Sequence, residues 1–243
     1  MLILGIETSG HTGGVALVKD GQVISEAVTG VERTHSERLM PALDWTLKSS
    51  GWQYDDLCGI SVSVGPGSYT GLRIGVVTAK ALGFGLGIPV VGVGTLKSLA
   101  YNTAGTGGVS VSLIDARRSR VYWSAWVFED GDDDGLCLVE DSLETIDLVC
   151  QRLAEIEGER PGEKYCFLGS GAERYRAPLI ESLKSGALAQ PGLVQPRAAS
   201  VALLGSRRLS KGDSDDVDSL EPRYMRLSEA ELRQGRDSCP GCR

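Results

Sequence analysis

The residues with the strongest claim to chemistry are Gly65-Pro66-Gly67-Ser68-Tyr69-Thr70-Gly71-Leu72-Arg73-Ile74-Gly75. The apolar run Ile60 to Val64 leads into a glycine turn and then a helical pattern. Backbone amides at such a helix start favour an anion, and glycines let it come close. Gly65, Gly67 and Ser68 are therefore candidate nucleotide or anion contacts. The plainer reading is a tight strand-to-helix connection with no ligand. No Gly-Lys-Ser/Thr ends the segment, so it is not a Walker motif. Glu7 ends the first apolar run beside Thr8 and Ser9, where an acid could meet a metal-bound nucleotide. Thr8 and Ser9 join the candidate anion set.

The other constellations are weaker. Asp115-Ala116-Arg117-Arg118 could form a local salt bridge or meet a phosphate. The two histidines, His11 and His35, form no H-x-x-x-H pair, so a metal site finds little support. Cys239-Pro240-Gly241-Cys242 has redox-motif spacing but no strand or helix around it, and reads as a loose tail. Asp130, Asp132, Asp134 and Gly135, with Asp141, match half of a calcium loop. The flanks read as strands, which favours a solvated hairpin turn. No Ser/His/Asp or Cys/His set stands out.

Several elements must position these residues. Met1 to Glu7, Gly13 to Lys19 and Gln22 to Thr29 read as three antiparallel strands, the second and third joined as a hairpin at Asp20-Gly21. Thr34-His35-Ser36-Glu37 has capping-box spacing, and Leu39, Leu43 and Leu47 then repeat at i+4 up to Gly51, with Pro41 expected to bend the helix. A strand at Ile60 to Val64, a helix from Tyr69 to Gly87 and a strand at Val90 to Val93 follow, with Thr95 placed to cap a short helix. After a linker at Gly105 to Gly108 a weaker version of the order returns. It comprises strands at Val109–Asp115, Val121–Phe128 and Leu136–Val139, a helix at Ser142–Ile156, a strand at Tyr165–Leu168 and a helix at Ala198–Leu209. This predicts an α/β protein of two lobes, each a mixed sheet flanked by helices. The expected division is 1–106, 107–227 and a polar tail at 228–243.

Composition bounds the function. The 32 glycines show no collagen period, and 42% hydrophobic residues support a real core. A formal net charge of −7 is not that of a stand-alone nucleic-acid binder. Residues 1–108 hold 8 acids and 7 bases, whereas 109–243 hold 24 acids and 18 bases. Cys58, Cys137, Cys150 and Cys166 read as buried, reduced thiols of a cytosolic protein. The longest uncharged apolar stretch, Ala81 to Leu96, is shorter than the roughly 18 residues of a membrane span, so no membrane partner is expected.

In the second helix Gly71, Gly75, Ala79, Gly83 and Gly87 recur every fourth residue and leave one face almost bare backbone. Glycines in a helix interior need a compensating close contact. The contact could be a neighbouring helix of this chain or a helix of another subunit, and spacing alone leaves both open.

In order along the chain, Ile6-Glu7-Thr8-Ser9, His35-Ser36-Glu37 with Pro41, Gly65 through Gly75, Asp115-Ala116-Arg117-Arg118 with Tyr122, and Pro222 with Tyr224 and Arg226 resemble the TsaB (YeaZ) family. The resemblance implies a two-lobed, ribonuclease H-like fold of the actin-like ATPase superfamily. It implies a non-catalytic subunit that binds and activates TsaD in making threonylcarbamoyl-adenosine at position 37 of tRNAs reading codons that start with A. It also implies a heterodimer with TsaD, a ternary complex with the P-loop ATPase TsaE, a homodimer when alone, tRNA contact only through the complex, and a cytoplasmic location. No cofactor of its own is implied; ATP or ADP would sit at a site completed by TsaD or TsaE. The partner-binding helices match Thr34–Ser50 and Tyr69–Gly87. On that reading His35, Leu39, Leu43, Leu47, Gly71, Leu72, Gly75, Ala79 and Gly83 form the docking surface. Gly75→Leu is then expected to leave the fold intact and abolish TsaD binding. The rival readings are a small actin-like hydrolase or kinase acting alone, and a homodimeric scaffold.

Overall fold

The computed structural model describes residues 1–30, 35–129 and 134–225. Strands β1 (Leu2–Glu7), β2 (Gly13–Lys19) and β3 (Gln22–Thr29) are consecutive and antiparallel. Asp20 and Gly21 turn the β2–β3 hairpin with φ of 50° and 80°, the left-handed pair that suits strand twist. Helix α1 (His35–Ser50) leads to β4 (Gly59–Gly65), α2 (Tyr69–Leu86) to β5 (Val90–Gly94), and α3 (Thr95–Ala100) follows. The sheet order is β3-β2-β1-β4-β5, with β4 and β5 parallel to β1.

The second half repeats this connectivity. Strands β6 (Val109–Asp115), β7 (Arg120–Val127) and β8 (Leu136–Thr145) are antiparallel, then α4 (Ile146–Glu159) leads to β9 (Tyr165–Leu168). Short helices α5 (Ser170–Arg174) and α6 (Arg176–Ser182) lead to β10 (Gly186–Leu188), and α7 (Ala198–Ser210) follows. The order β10-β9-β6-β7-β8 mirrors the first sheet.

Each half gives its last helix to the other. Helix α3 packs on β6 and β7, where Ser112 Oγ donates to the Leu96 carbonyl at 2.8 Å. Helix α7, placed by sequence with the second lobe, lies instead on β1, β2 and β4 of the first sheet. Its small residues allow this. A Cβ on Gly5 would strike Ala198 and Ala202, and one on Gly205 would strike Ser61. Glu26 of β3 holds the start of α7, accepting from the Ala199 amide at 3.0 Å and from Arg197. Residues Leu2, Leu4 and Ile6 point to the opposite face, into a core with Leu39, Leu43, Leu47, Val76 and Ala79. With both faces covered, β1 is buried along its whole length.

Some boundaries differ from the sequence expectation. Strand β8 runs to Thr145, because Ser142 to Thr145 pair with β7 and the helix starts only at Ile146. Thr95 does not cap α3; it is the first helical residue, the N-cap is Gly94, and the buried Thr95 hydroxyl has no partner among the described residues. Helix α1 continues through Pro41. The thiol of Cys58 is exposed, and those of Cys137, Cys150 and Cys166 are only half-buried, packed against the edges of the core clusters. The Thr34 capping box, Asp130, Asp132, Arg226 and the Cys239–Cys242 pair lie outside the described residues.

Candidate functional site

The ends of β1 and β4 meet at the glycine turn. The carboxylate of Glu7 is 1% exposed and accepts the Ser9 amide at 2.5 Å through Oε1. Burial raises its pKa above the ordinary carboxylate value, against the opposing hydrogen bonds from Ser9 and Ser63. The Ser9 carbonyl in turn accepts the Ser68 amide at 2.7 Å. Ser68 is the N-cap of α2, its hydroxyl accepting the Gly71 amide at 3.2 Å. Gly65 has φ of 113°, and a Cβ there would lie 2.7 Å from the Arg223 carbonyl, so both conformation and space call for glycine.

Thr8, Ser9, Gly65, Gly67 and Ser68 are thus brought together as the sequence anticipates, but as a packed joint. One helix-start amide is already bonded to Ser9, and the groove is floored by an acid. Among the described residues, the buried Thr8 hydroxyl and Glu7 Oε2 have no hydrogen-bond partner. The adjoining cleft, lined by Thr8, Gly13, Gly14, Val15, Thr29, Leu39 and Ala42, spans about 180 Å³ with open solvent included, below the roughly 300 Å³ of ordinary ligand pockets. Among the described residues no group of three or more His, Cys, Asp or Glu is placed to hold a metal ion.

The docking surface read from sequence needs correction. Leu39, Leu43, Leu47, Gly71, Leu72, Gly75, Ala79 and Gly83 are all buried within this chain. A Cβ at Gly75 would strike the Thr8 hydroxyl, and one at Gly83 would strike Val90. The bare face of α2 therefore lies on its own sheet. His35 is the first residue of α1, and its side chain lies outside the described residues.

The outer sides of the same two helices carry what the sequence reading passed over. Phe84 is 82% exposed, Val77 64%, Trp45 58% and Met40 43%. Thr70, Arg73, Val77, Ala81 and Phe84 recur at three- and four-residue spacing, a second stripe legible in the sequence once the glycine face is assigned inward.

A strap crosses the edge of this layer. Asp215 receives the Gly92 amide at 2.6 Å, Lys80 Nζ donates to the Asp218 and Leu220 carbonyls at 3.1 Å, and the Arg223 amide donates to the Val64 carbonyl at 2.7 Å. Tyr224 then stacks on Tyr69 with ring centroids 4.8 Å apart, and its hydroxyl accepts from Arg73 at 3.2 Å. The strap ends beside the glycine turn.

In the second lobe Asp115 ends β6 as Glu7 ends β1. It accepts the Arg117 amide at 3.0 Å, and its salt-bridge partner is the distant Arg174 at 2.8 Å, neither Arg117 nor Arg118. Asp134 pairs with Lys211 at 2.6 Å and Asp141 is half-buried facing Arg223, so neither is poised for calcium.

Two lobes of one repeated topology, each lending a helix to the other, define the actin-like ATPase class of fold. Component A of the (R)-2-hydroxyglutaryl-CoA dehydratase of Acidaminococcus fermentans shares it at 12% identity over 86% of this chain and 99% of that one, with a TM-score of 0.52. A Pseudomonas aeruginosa protein with similarity to peptidase YeaZ aligns at 22% identity over 93% of this chain and 99% of that one, with a TM-score of 0.76.

The family model described as "TsaD: tRNA N6-adenosine threonylcarbamoyltransferase" matches residues 22–234. The tRNA threonylcarbamoyladenosine biosynthesis protein TsaB of Bacillus subtilis is 34% identical over 96% of this chain and 97% of its own length. The TsaB of Escherichia coli is 29% identical over 95% and 96%. The chain belongs to the TsaB (YeaZ) family.

Proposed function

We propose that this chain is a non-catalytic subunit of the machinery that makes threonylcarbamoyl-adenosine at position 37 of tRNAs reading codons that start with A, and that it binds and activates TsaD. The observation that carries the reading is the pair Val77 and Phe84, exposed on one face of α2, with Met40 and Trp45 exposed on α1. Large exposed apolar side chains on one helix face favour a protein interface. The names of the relatives supply the pathway. TsaE joins the pair as a third subunit, tRNA is reached through the complex, and the same stripe serves a homodimer when TsaD is absent. Such a complex works in the cytoplasm.

The packed joint at Glu7, Ser9 and Ser68 supports a chain with no nucleotide of its own, ATP or ADP sitting at a site completed by TsaD or TsaE. The Ser68 amide is committed to the Ser9 carbonyl, so the helix start offers an anion one donor fewer. Reconstitution of tRNA modification from purified TsaD and TsaE, with and without this chain, tests the reading. Modification is expected only with the chain. Full modification without it overturns the proposal, and nucleotide turnover by the isolated chain would instead favour a free-standing kinase or hydrolase.

A further inference from the structure

A concentration of charge at the far end of β6 plays no part in the docking stripe. The chain turns from β6 into β7 through Ala116–Ser119, and Arg117, Arg118 and Ser119 have φ of 62°, 53° and 56°. Non-glycine residues avoid this region, and its use in succession is costly. The turn is held by the Ala116 amide to the Arg120 carbonyl at 2.9 Å and the Arg120 amide to the Arg117 carbonyl at 3.1 Å. Both arginine side chains are exposed, with no partner among the described residues.

The neighbouring acids are already engaged. Asp115 takes Arg174 and lies 3.4 Å from the Tyr175 hydroxyl. Glu144, at the adjoining end of β8, takes Arg152 at 2.5 Å and the Trp123 indole at 3.0 Å. Arg120 is also exposed there, and the exposed acids near it are Asp147 on the adjoining turn of α4 and Glu173 on α5. A basic end results, in a half-chain that holds 24 acids against 18 bases. It lies at the carboxyl ends of the parallel pair β6 and β9, where open α/β sheets present their ligand sites.

We propose that Arg117 and Arg118 contact the phosphate backbone of a folded RNA, each guanidinium engaging a phosphodiester. Guanidinium forks match phosphate oxygens in geometry and charge. The inference rests on the RNA-modification reading, which brings a polyanion to an acidic chain, and it assigns the contact to this subunit directly.

The test uses the complex of this chain with TsaD and TsaE, and unmodified tRNA as probe. In the double variant Arg117→Asn, Arg118→Asn, asparagine tolerates the left-handed turn while removing both charges. Binding measured over a salt series is expected to weaken at least fivefold at low salt, with the log–log salt slope reduced by about 1 to 2. An unchanged dissociation constant and slope, with the complex intact by size exclusion, overturns the proposal. Failure of the RNA-modification reading shows separately, as modification that proceeds without this chain.

Discussion

Gly75 lies against the hydroxyl of Thr8, so that the first atom of any side chain at position 75 would occupy the place of Thr8 Oγ1. This contact joins the middle of α2 to the end of β1. It reverses the sequence-based expectation for position 75. Gly75→Leu is expected to compromise the fold, and even Gly75→Ala to cost about 1 to 3 kcal/mol, as overpacking a filled core does. Chemical denaturation of Gly75→Ala checks this; unaltered stability would mean that α2 slides freely over β1.

The exposed stripe should behave oppositely. Phe84 and Val77 are expected to tolerate Asp with stability within about 0.5 kcal/mol of the parent, as surface sites do. TsaD binding by Phe84→Asp is expected to weaken by about 2 kcal/mol or more, roughly thirtyfold, if the ring is an interface anchor. Size exclusion and titration calorimetry with TsaD read both. Undiminished binding by Phe84→Asp together with Val77→Asp would remove α2 from the interface.

The strap depends on Asp215, which accepts the Gly92 amide at 2.6 Å and Arg208 Nη2 at 3.1 Å. Asp215→Ala leaves a strand amide without its acceptor and is expected to cost about 1 to 3 kcal/mol. Asp215→Asn, which keeps an acceptor oxygen, should recover part of the loss. Equal denaturation midpoints for Asp215→Ala and the parent would show that the strap contributes nothing to the sheet edge.

Asp141 gives a pH signature. Burial, and then the neighbouring Glu140, push its carboxyl up to about 6, while Arg223 and a hydrogen bond with Ser124 pull the other way. The folded state therefore holds this proton to higher pH than the unfolded state does. Its contribution to stability is full below the ordinary carboxylate value of 3.8 and is lost as pH rises through about 6. Asp141→Asn is expected to raise the melting temperature at pH 7.5, with a gain of about 1 to 2 kcal/mol, and to give no gain near pH 4. A gain of the same size at both pH values would rule out titration of Asp141 as the cause.

Much of the scaffold is written locally. Asp20-Gly21 between alternating runs yields β2 and β3 at their observed limits, and Ser68 and Gly87 bound α2 as its N-cap and left-handed C-cap. The joining of Thr8 and Ser9 to Gly65, Gly67 and Ser68 was also legible, because both segments end strands of one sheet. Its character was not. Whether the helix-start amides stay open or bond to Ser9 depends on how closely α2 sits over β1, and Gly75 sets that distance from outside the motif.

The sequence by itself determined the repeated element order, the mixed α/β class and the helices α1 and α2, since turn residues and hydrophobic period act over a few positions. Only the tertiary structure decided which side of α2 is core. A 3.6-residue period offers a small-residue stripe and an apolar stripe on one helix, and contact with Thr8, Val62 and Val90 chooses between them. It likewise decided that α3 and α7 change sheets, and that Asp115 pairs with Arg174 in place of its sequence neighbours. An amphipathic helix fits any apolar sheet of the right shape, and a carboxylate takes whichever cation the fold brings near. Those choices come from long-range packing, which no local pattern encodes.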